Sequence, residues 1–310
     1  MRIFIITAVT VLIAVSAHAN QADSLESILL EANTAFGKRH YQKAYDLYQI
    51  ILANDSSSAK VLLNTGVSAA SLGRPDEARA LIEMAYRLEP KNPDIVNNLG
   101  VMLSNEGDTR GAIKLFNEAL QLDTTSAVLK VNLAQEYLKR GLGLKAIPLL
   151  QSAIAIEPEE VLPKFLLANA FAGSRKPDSA EYWYLEAAKE QDNDPELYYR
   201  LGSVQRNQGK IDAAQASYEK SLALDPSQRD CHQALAMLHL DKLSYGGAEK
   251  HFYLAVKADS SYLPAWIGLG VVFQLTEQKD QFNMIANRLN ELDSSYTRQI
   301  LQMTEHYRKQ

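Results

Sequence analysis

A period of 34 residues constrains this chain more than any single motif does. Residues 59–92, AKVLLNTGVSAASLGRPDEARALIEMAYRLEPKN, read as two short amphipathic helices joined by a turn that holds Gly73 and Pro75. Glycine accepts a positive φ and proline cannot continue a helix, so the pair punctuates the turn. Asp76 and Glu77 open the second helix, where the helix dipole favours negative charge. Residues 93–126 repeat the arrangement without an insertion. Stepping by the same interval from Ala44 gives Ala78, Ala112, Ala146, Ala180, Ala214 and Ala248. A first-helix series of small residues runs Ala32, Gly66, Gly100, Ala134, Ala168, Gly202, Ala236 and Gly270. Small side chains at both positions let the two helices of a hairpin approach closely. Bulk recurs at Tyr48, Ile82, Phe116, Leu150, Tyr184, Tyr218 and Phe252, and at Leu99, Leu133, Leu167, Leu201, Leu235 and Leu269.

This small-Leu-Gly-Tyr, Ala, aromatic, Ala, Pro pattern resembles the tetratricopeptide repeat family over residues 25–296, eight units in all. The resemblance implies an all-α fold, a right-handed superhelical solenoid of about eight helix-turn-helix hairpins. Residues 297–310 place Ile300, Met303 and Tyr307 at helical spacing and read as a capping helix. The unbroken period makes one elongated repeat domain of a length that would otherwise predict about two. In the first unit Glu31 stands where other units have Leu, as suits a terminal repeat. In the fifth, Arg175 replaces the turn glycine and Asp192 the usual proline; in the seventh, Leu243 holds the turn position. In the eighth, Phe282 occupies the small position and Ala286 the aromatic one, an exchange that predicts a splayed or rotated hairpin.

Ahead of the repeats, residues 1–19 read as a cleaved signal peptide. Arg2, an apolar run over 3–15 and Ala17-His18-Ala19 supply its three parts, and Asn20 begins a short mature segment, 20–24. The run is shorter than the roughly 20 apolar residues of a spanning helix, so no integral anchor is expected. No cysteine follows the cleavage signal, which argues against a lipoprotein. Periplasmic export is the resulting expectation, with secretion the alternative. A formal charge of −5 lacks the basic footprint of a nucleic-acid binder. One cysteine, Cys231, rules out an intramolecular disulfide.

No phosphate loop, nucleophile motif or HExxH sequence is present, and no enzyme activity or cofactor is expected. The densest polar cluster is Asp230, Cys231, His232, His239, Asp241 and His251. His239 falls at the packing position of Leu103, Tyr137 and Phe171 and reads as a core histidine, so no metal site is assigned.

The family resemblance implies a concave groove lined by first helices, with Asn64, Asn98 and Asn132 recurring at one exposed position. Three amides one repeat apart resemble an asparagine ladder that holds an extended peptide by its backbone. Consensus alone is the competing explanation of those asparagines. Asn97, Gln135 and Asn169 add polar groups. Val128, Val131, Leu162, Phe165 and Leu166 are expected to face the groove as an apolar stretch, followed by Tyr199, Arg200 and Arg206. The family's two-carboxylate clamp is not matched. Three functions stay open: an interaction module binding extended peptides of envelope proteins during assembly, secretion or maturation; a scaffold for an envelope or polysaccharide-export complex; and a metal carrier.

Overall fold

The computed structural model describes residues 24–293 and 295–309. The leader and most of the short mature segment after it lie outside the described residues. Two compact units divide the chain between Leu142 and Gly143, where the sequence reads one continuous array. The first contains α1 (24–37), α2 (Tyr41–Asn54), α3 (Ala59–Ser71), α4 (Pro75–Leu88), α5 (Pro93–Asn105), α6 (Thr109–Leu122) and α7 (Ala127–Lys139). The second contains α8 (Gly143–Ile156), α9 (Val161–Gly173), α10 (Pro177–Glu190), α11 (Pro195–Asn207), α12 (Ile211–Leu224) and α13 (Arg229–Asp241). It continues with α14 (Tyr245–Ala258), α15 (Leu263–Leu275), α16 (Lys279–Asn290) and α17 (Ser295–Arg308). No strand occurs among the described residues, and the all-α repeat fold expected from the period is what the chain adopts.

The turn inside each hairpin is the same object eight times. Arg39, Gly73, Gly107, Gly141, Arg175, Gly209, Leu243 and Glu277 all have positive φ, between 55° and 84°, at the 34-residue interval. At each, the amide of the next residue donates back five positions, as from Arg74 N to Ala69 O at 3.0 Å and from Ser244 N to His239 O at 2.8 Å. That bond is the 6→1 closure of a helix ending in the left-handed conformation. Losing glycine at Arg175 and Leu243 therefore leaves the turn intact and adds backbone strain instead.

Within hairpins the small positions are tight sockets. A Cβ added at Gly100 would lie 2.6 Å from the Phe116 ring, so only glycine admits that ring there. Ala44, Ala78, Ala112, Ala146, Ala180, Ala214 and Ala248 are all buried, with Tyr48, Phe116, Tyr184, Tyr218 and Phe252 beside them in the core.

The last hairpin departs from the pattern. Gly270 holds the register of Gly100, yet a Cβ there would meet Cδ1 of Ile300 at 2.6 Å rather than a residue of α16. Ala286 is too short to fill the socket on α15, and α17 inserts Ile300 in its place. In this way α17 packs into the array instead of only covering its end. Tyr307 of α17 extends this contact to α13, donating to Asp241 Oδ1 at 3.1 Å. Buried residues of α13 to α17 form one continuous apolar cluster. No helix among the described residues is long and apolar enough to cross a membrane.

Candidate functional site

In the first unit the three asparagines occur at one register position of α3, α5 and α7, half-buried in each case. Their amide nitrogens have different partners. Asn64 Nδ2 donates to the Tyr48 hydroxyl at 3.1 Å, and that hydroxyl donates in turn to Asn33 Oδ1 at 2.8 Å. Asn98 Nδ2 donates to the Asp94 carbonyl one turn earlier, at 2.8 Å. Asn132 Nδ2 donates to Asn97 Oδ1 at 2.7 Å, joining α7 to α5. No donor among the described residues reaches the side-chain carbonyl oxygens of Asn64, Asn98 or Asn132. The row therefore presents open acceptors, and each amide nitrogen has already committed one of its two N–H groups.

Beside this row, Val128 is 57% exposed while Val131 is only 8% exposed. Val131 was expected on the groove. Val131 stands one residue before Asn132, about 100° round the helix from it, and that rotation turns it into the packing between helices. Gln135, half-buried on α7, completes the first unit's share of the predicted residues.

The second unit carries the rest. Leu162 is exposed, but Leu166 is buried against neighbouring helices, again a correction to the expected groove face. Phe165 is half-buried with its ring edge-on to Tyr184, 5.8 Å between centroids. Asn169 accepts from the Tyr184 hydroxyl at 2.5 Å, so it satisfies a buried phenol rather than standing free. Burial holds the Tyr184 hydroxyl far above the usual phenol range. Tyr199 lies 6.1 Å from the Tyr218 ring, with the Arg200 guanidinium 6.0 Å from its own centroid. Arg200 pairs with Glu196 on its own helix at 2.6 Å, and Arg206 pairs with Asp241 of α13 at 2.9 Å. Ion pairs of this exposure organise side chains more than they stabilise the fold.

A group that the repeat pattern does not reveal lies between α13 and α14. His232 Nε2 is 3.0 Å from the Pro226 carbonyl, which can only accept, so Nε2 carries the ring proton. The bare Nδ1 of His232 then accepts from Nδ1–H of His251 at 3.1 Å. His239 stacks on the other side of His251, ring centroids 5.5 Å apart and planes within 11°. Burial lowers the pKa of all three; for His251 burial and the neighbouring His232 and His239 bring it down to about 4. His239 is half-buried rather than fully in the core, its ring against Gly247 of α14. Cys231 is buried, with its thiol donating to the Tyr218 carbonyl, and burial pushes it up to about 11, which keeps it protonated and inert. Among the described residues no group of three or more His, Cys, Asp or Glu side chains is arranged to hold a metal ion.

Comparison with known proteins bears on the array as a whole. Two family models, each described as tetratricopeptide repeat, match residues 29–93 and 131–195, and residues 93–125 and 195–228. Among curated proteins, the Protein CTR9 homolog of Arabidopsis thaliana is 25% identical over 259 residues, covering 80% of this chain and 24% of that protein. Human Tetratricopeptide repeat protein 7B is 27% identical over 274 residues, 82% of this chain and 31% of that protein. The chain thus spans about a quarter to a third of the length of these relatives. Among solved structures, the APC/C hetero-tetramer Cut9–Hcn1 superposes with a TM-score of 0.66 at 19% identity, over 79% of this chain and 48% of that one. YrrB, described as a tetratricopeptide repeat protein with an unusual peptide-binding site, gives 0.51 at 18% identity, over 59% and 95%. These likenesses concern the fold. The helical hairpins, their 34-residue register and the family matches over most of both units make this chain a member of the tetratricopeptide repeat family.

Proposed function

We propose that this protein is a non-enzymatic interaction module whose first unit holds an extended peptide along α3, α5 and α7. Members of its family generally mediate protein–protein interaction, and the row of Asn64, Asn98 and Asn132 carries the narrower reading. Three carbonyl oxygens without donors, one per repeat, match the N–H groups of an extended chain. The Asn132–Asn97 bond brings α7 close to α5, and a peptide extended in the polyproline II conformation has three residues per turn, each rising about 3.1 Å. Every third peptide N–H of such a chain thus returns to the same side after about 9 Å. Exposed Val128 offers an apolar contact beside the row. The peptide supplies donors, so its side chains vary freely and specificity is broad. The reading of residues 1–19 as a leader makes segments of cell-envelope proteins in the periplasm the partners, in assembly, secretion or maturation.

A second reading has one observation in its favour. On α10 of the second unit, Tyr182 and Leu185 are 54% and 44% exposed one turn apart, an apolar pair suited to a folded partner of an envelope scaffold.

An array of envelope-derived peptides, probed with the wild type and with Asn64, Asn98 and Asn132 all changed to Ala, separates the two. Each neutral bond contributes about 0.5–1.5 kcal/mol, so the triple variant is expected to bind roughly tenfold to a thousandfold more weakly. Peptides N-methylated at every third amide should lose the same affinity toward the wild type. Unchanged binding in both arms removes the ladder. Binding lost instead on Tyr182→Ser and Leu185→Ser supports the scaffold.

A further inference from the structure

A cavity of about 590 Å³ lies between α14, α15 and α16, inside the size range of small-molecule sites. It lies wholly in the second unit and is independent of the asparagine row. Its inner wall is apolar and buried: Leu269, Phe273 and Ile285 are at most 8% exposed. Tyr253 and Met284, 61% and 62% exposed, flank the mouth. Trp266 forms one side and is held in position twice. Its indole N–H donates to the Ser260 carbonyl at 3.0 Å, and the Arg288 guanidinium stacks 4.4 Å from the ring centroid. Gly246 belongs to the lining, and a Cβ built there meets nothing within 4 Å, so this part of the wall is open for lack of a side chain.

The polar lining consists of Glu249 and Lys250. Lys250 is exposed and makes no ion pair among the described residues. The lining thus balances one cation against one carboxylate, and Arg288, outside the lining but stacked on Trp266, adds a second positive charge beside that wall. The geometry points to a binding site for a small amphiphilic anion, an apolar chain ending in a carboxylate. The chain packs against Trp266, Leu269 and Phe273, and the head meets Lys250 at the mouth. A charge-assisted bond to an ammonium is roughly twice as strong as a neutral one, which makes Lys250 the selector of the head group.

The test uses the full chain in a Trp183→Phe background, so that Trp266 is the remaining indole and its fluorescence reports on the cavity. Decanoate, decanol and decyltrimethylammonium are titrated in parallel below their aggregation limits. The expected result is saturable binding of one decanoate with a Trp266 signal. Decanol should bind about tenfold more weakly, the loss of one charge-assisted contact, and the cation more weakly still. Gly246→Leu, whose Cβ has open space within 4 Å, fills the open wall and should abolish binding at unchanged helicity. Lys250→Gln should bring decanoate down to the level of decanol. Equal, unsaturable response to all three amphiphiles overturns the site. So does decanoate binding that survives Gly246→Leu, or no decanoate response where a peptide with an apolar C-terminal residue gives one.

Discussion

The Tyr184 hydroxyl donates to Asn169, fifteen residues earlier and on the facing helix of the same hairpin, at 2.5 Å. The pairing recurs: Tyr48 donates to Asn33 at 2.8 Å and Tyr218 to Ser203 at 3.3 Å, each across the same interval. Where the second-helix residue is Ile82, Phe116 or Phe252, the partner position holds Val67, Val101 or Met237. A buried phenol needs an acceptor and a buried phenyl needs none, so the two positions change together in these six units, while Leu150, with Gln135 fifteen residues earlier, departs from the pairing. The expected consequence is non-additivity. Asn169→Leu alone leaves a buried hydroxyl unpaired and should destabilise the second unit by about 1–3 kcal/mol. Adding Tyr184→Phe should restore most of that loss in chemical denaturation. Additive losses would mean that the hydroxyl is satisfied elsewhere.

Backbone strain at the turns gives a stabilising substitution. Leu243 sits at φ 55° with its side chain 46% exposed, so little packing is lost on shortening it. A left-handed conformation costs an L-residue about 1–2 kcal/mol that glycine avoids, and glycine gives back part of this through the unfolded chain. Leu243→Gly should therefore raise the denaturation midpoint by about 0.5–1 kcal/mol of stability. A lower midpoint would mean that Leu243 contributes packing beyond its exposure.

Acid should weaken the second unit through the three histidines. The groups facing them are Lys242 at the end of α13, Lys250 on α14 and Glu219 on α12. In the folded state His251 titrates at about 4, against 6.5 for an unperturbed imidazole. Between these values the unfolded chain binds more protons, so stability falls as pH drops from about 6.5 toward about 4. Melting temperatures across that window should decline less steeply in His251→Leu than in the wild type. An unchanged slope would remove His251 as the cause.

The Gly270 socket offers a test of the last hairpin. Gly270→Ala places a methyl 2.6 Å from Ile300 and should destabilise by about 1–3 kcal/mol through overpacking. Ile300→Val relieves the clash and should recover part of it in the double variant. Full additivity would mean that α17 does not fill this socket.

The fold was legible because its information is periodic. Small residues at Ala78 and Gly100 and their equivalents fix where helices cross, and this register survives even where Leu243 or Glu277 replaces the turn glycine. What lies off the period was not legible. Gly270 meets Ile300 thirty residues on, where Gly100 meets Phe116 after sixteen. His232 and His251 meet across nineteen residues, a pairing that occurs once and has no counterpart to align with. The asparagine row was visible as a column of identical letters, but its side-chain commitments were not. Tyr48, Asp94 and Asn97 each bind one amide, and only the described geometry distinguishes donors in use from acceptors left open. Leu166 shares the register of Asn132, and Val131 precedes that asparagine, yet both turn inward, because register alone does not show how closely the neighbouring helices approach.

The seating of Ile300 against α15 has a mechanical consequence. In a regular array pulled from its C-terminal end, hairpins detach one at a time, and each releases about 34 residues, or roughly 110–120 Å of extended chain. Here α15 and α16 cannot peel away while α17 is docked on α15, and Tyr307 ties α17 to α13. The first rupture under load is therefore larger than those that follow, and the rest of the second unit yields only after this end has opened.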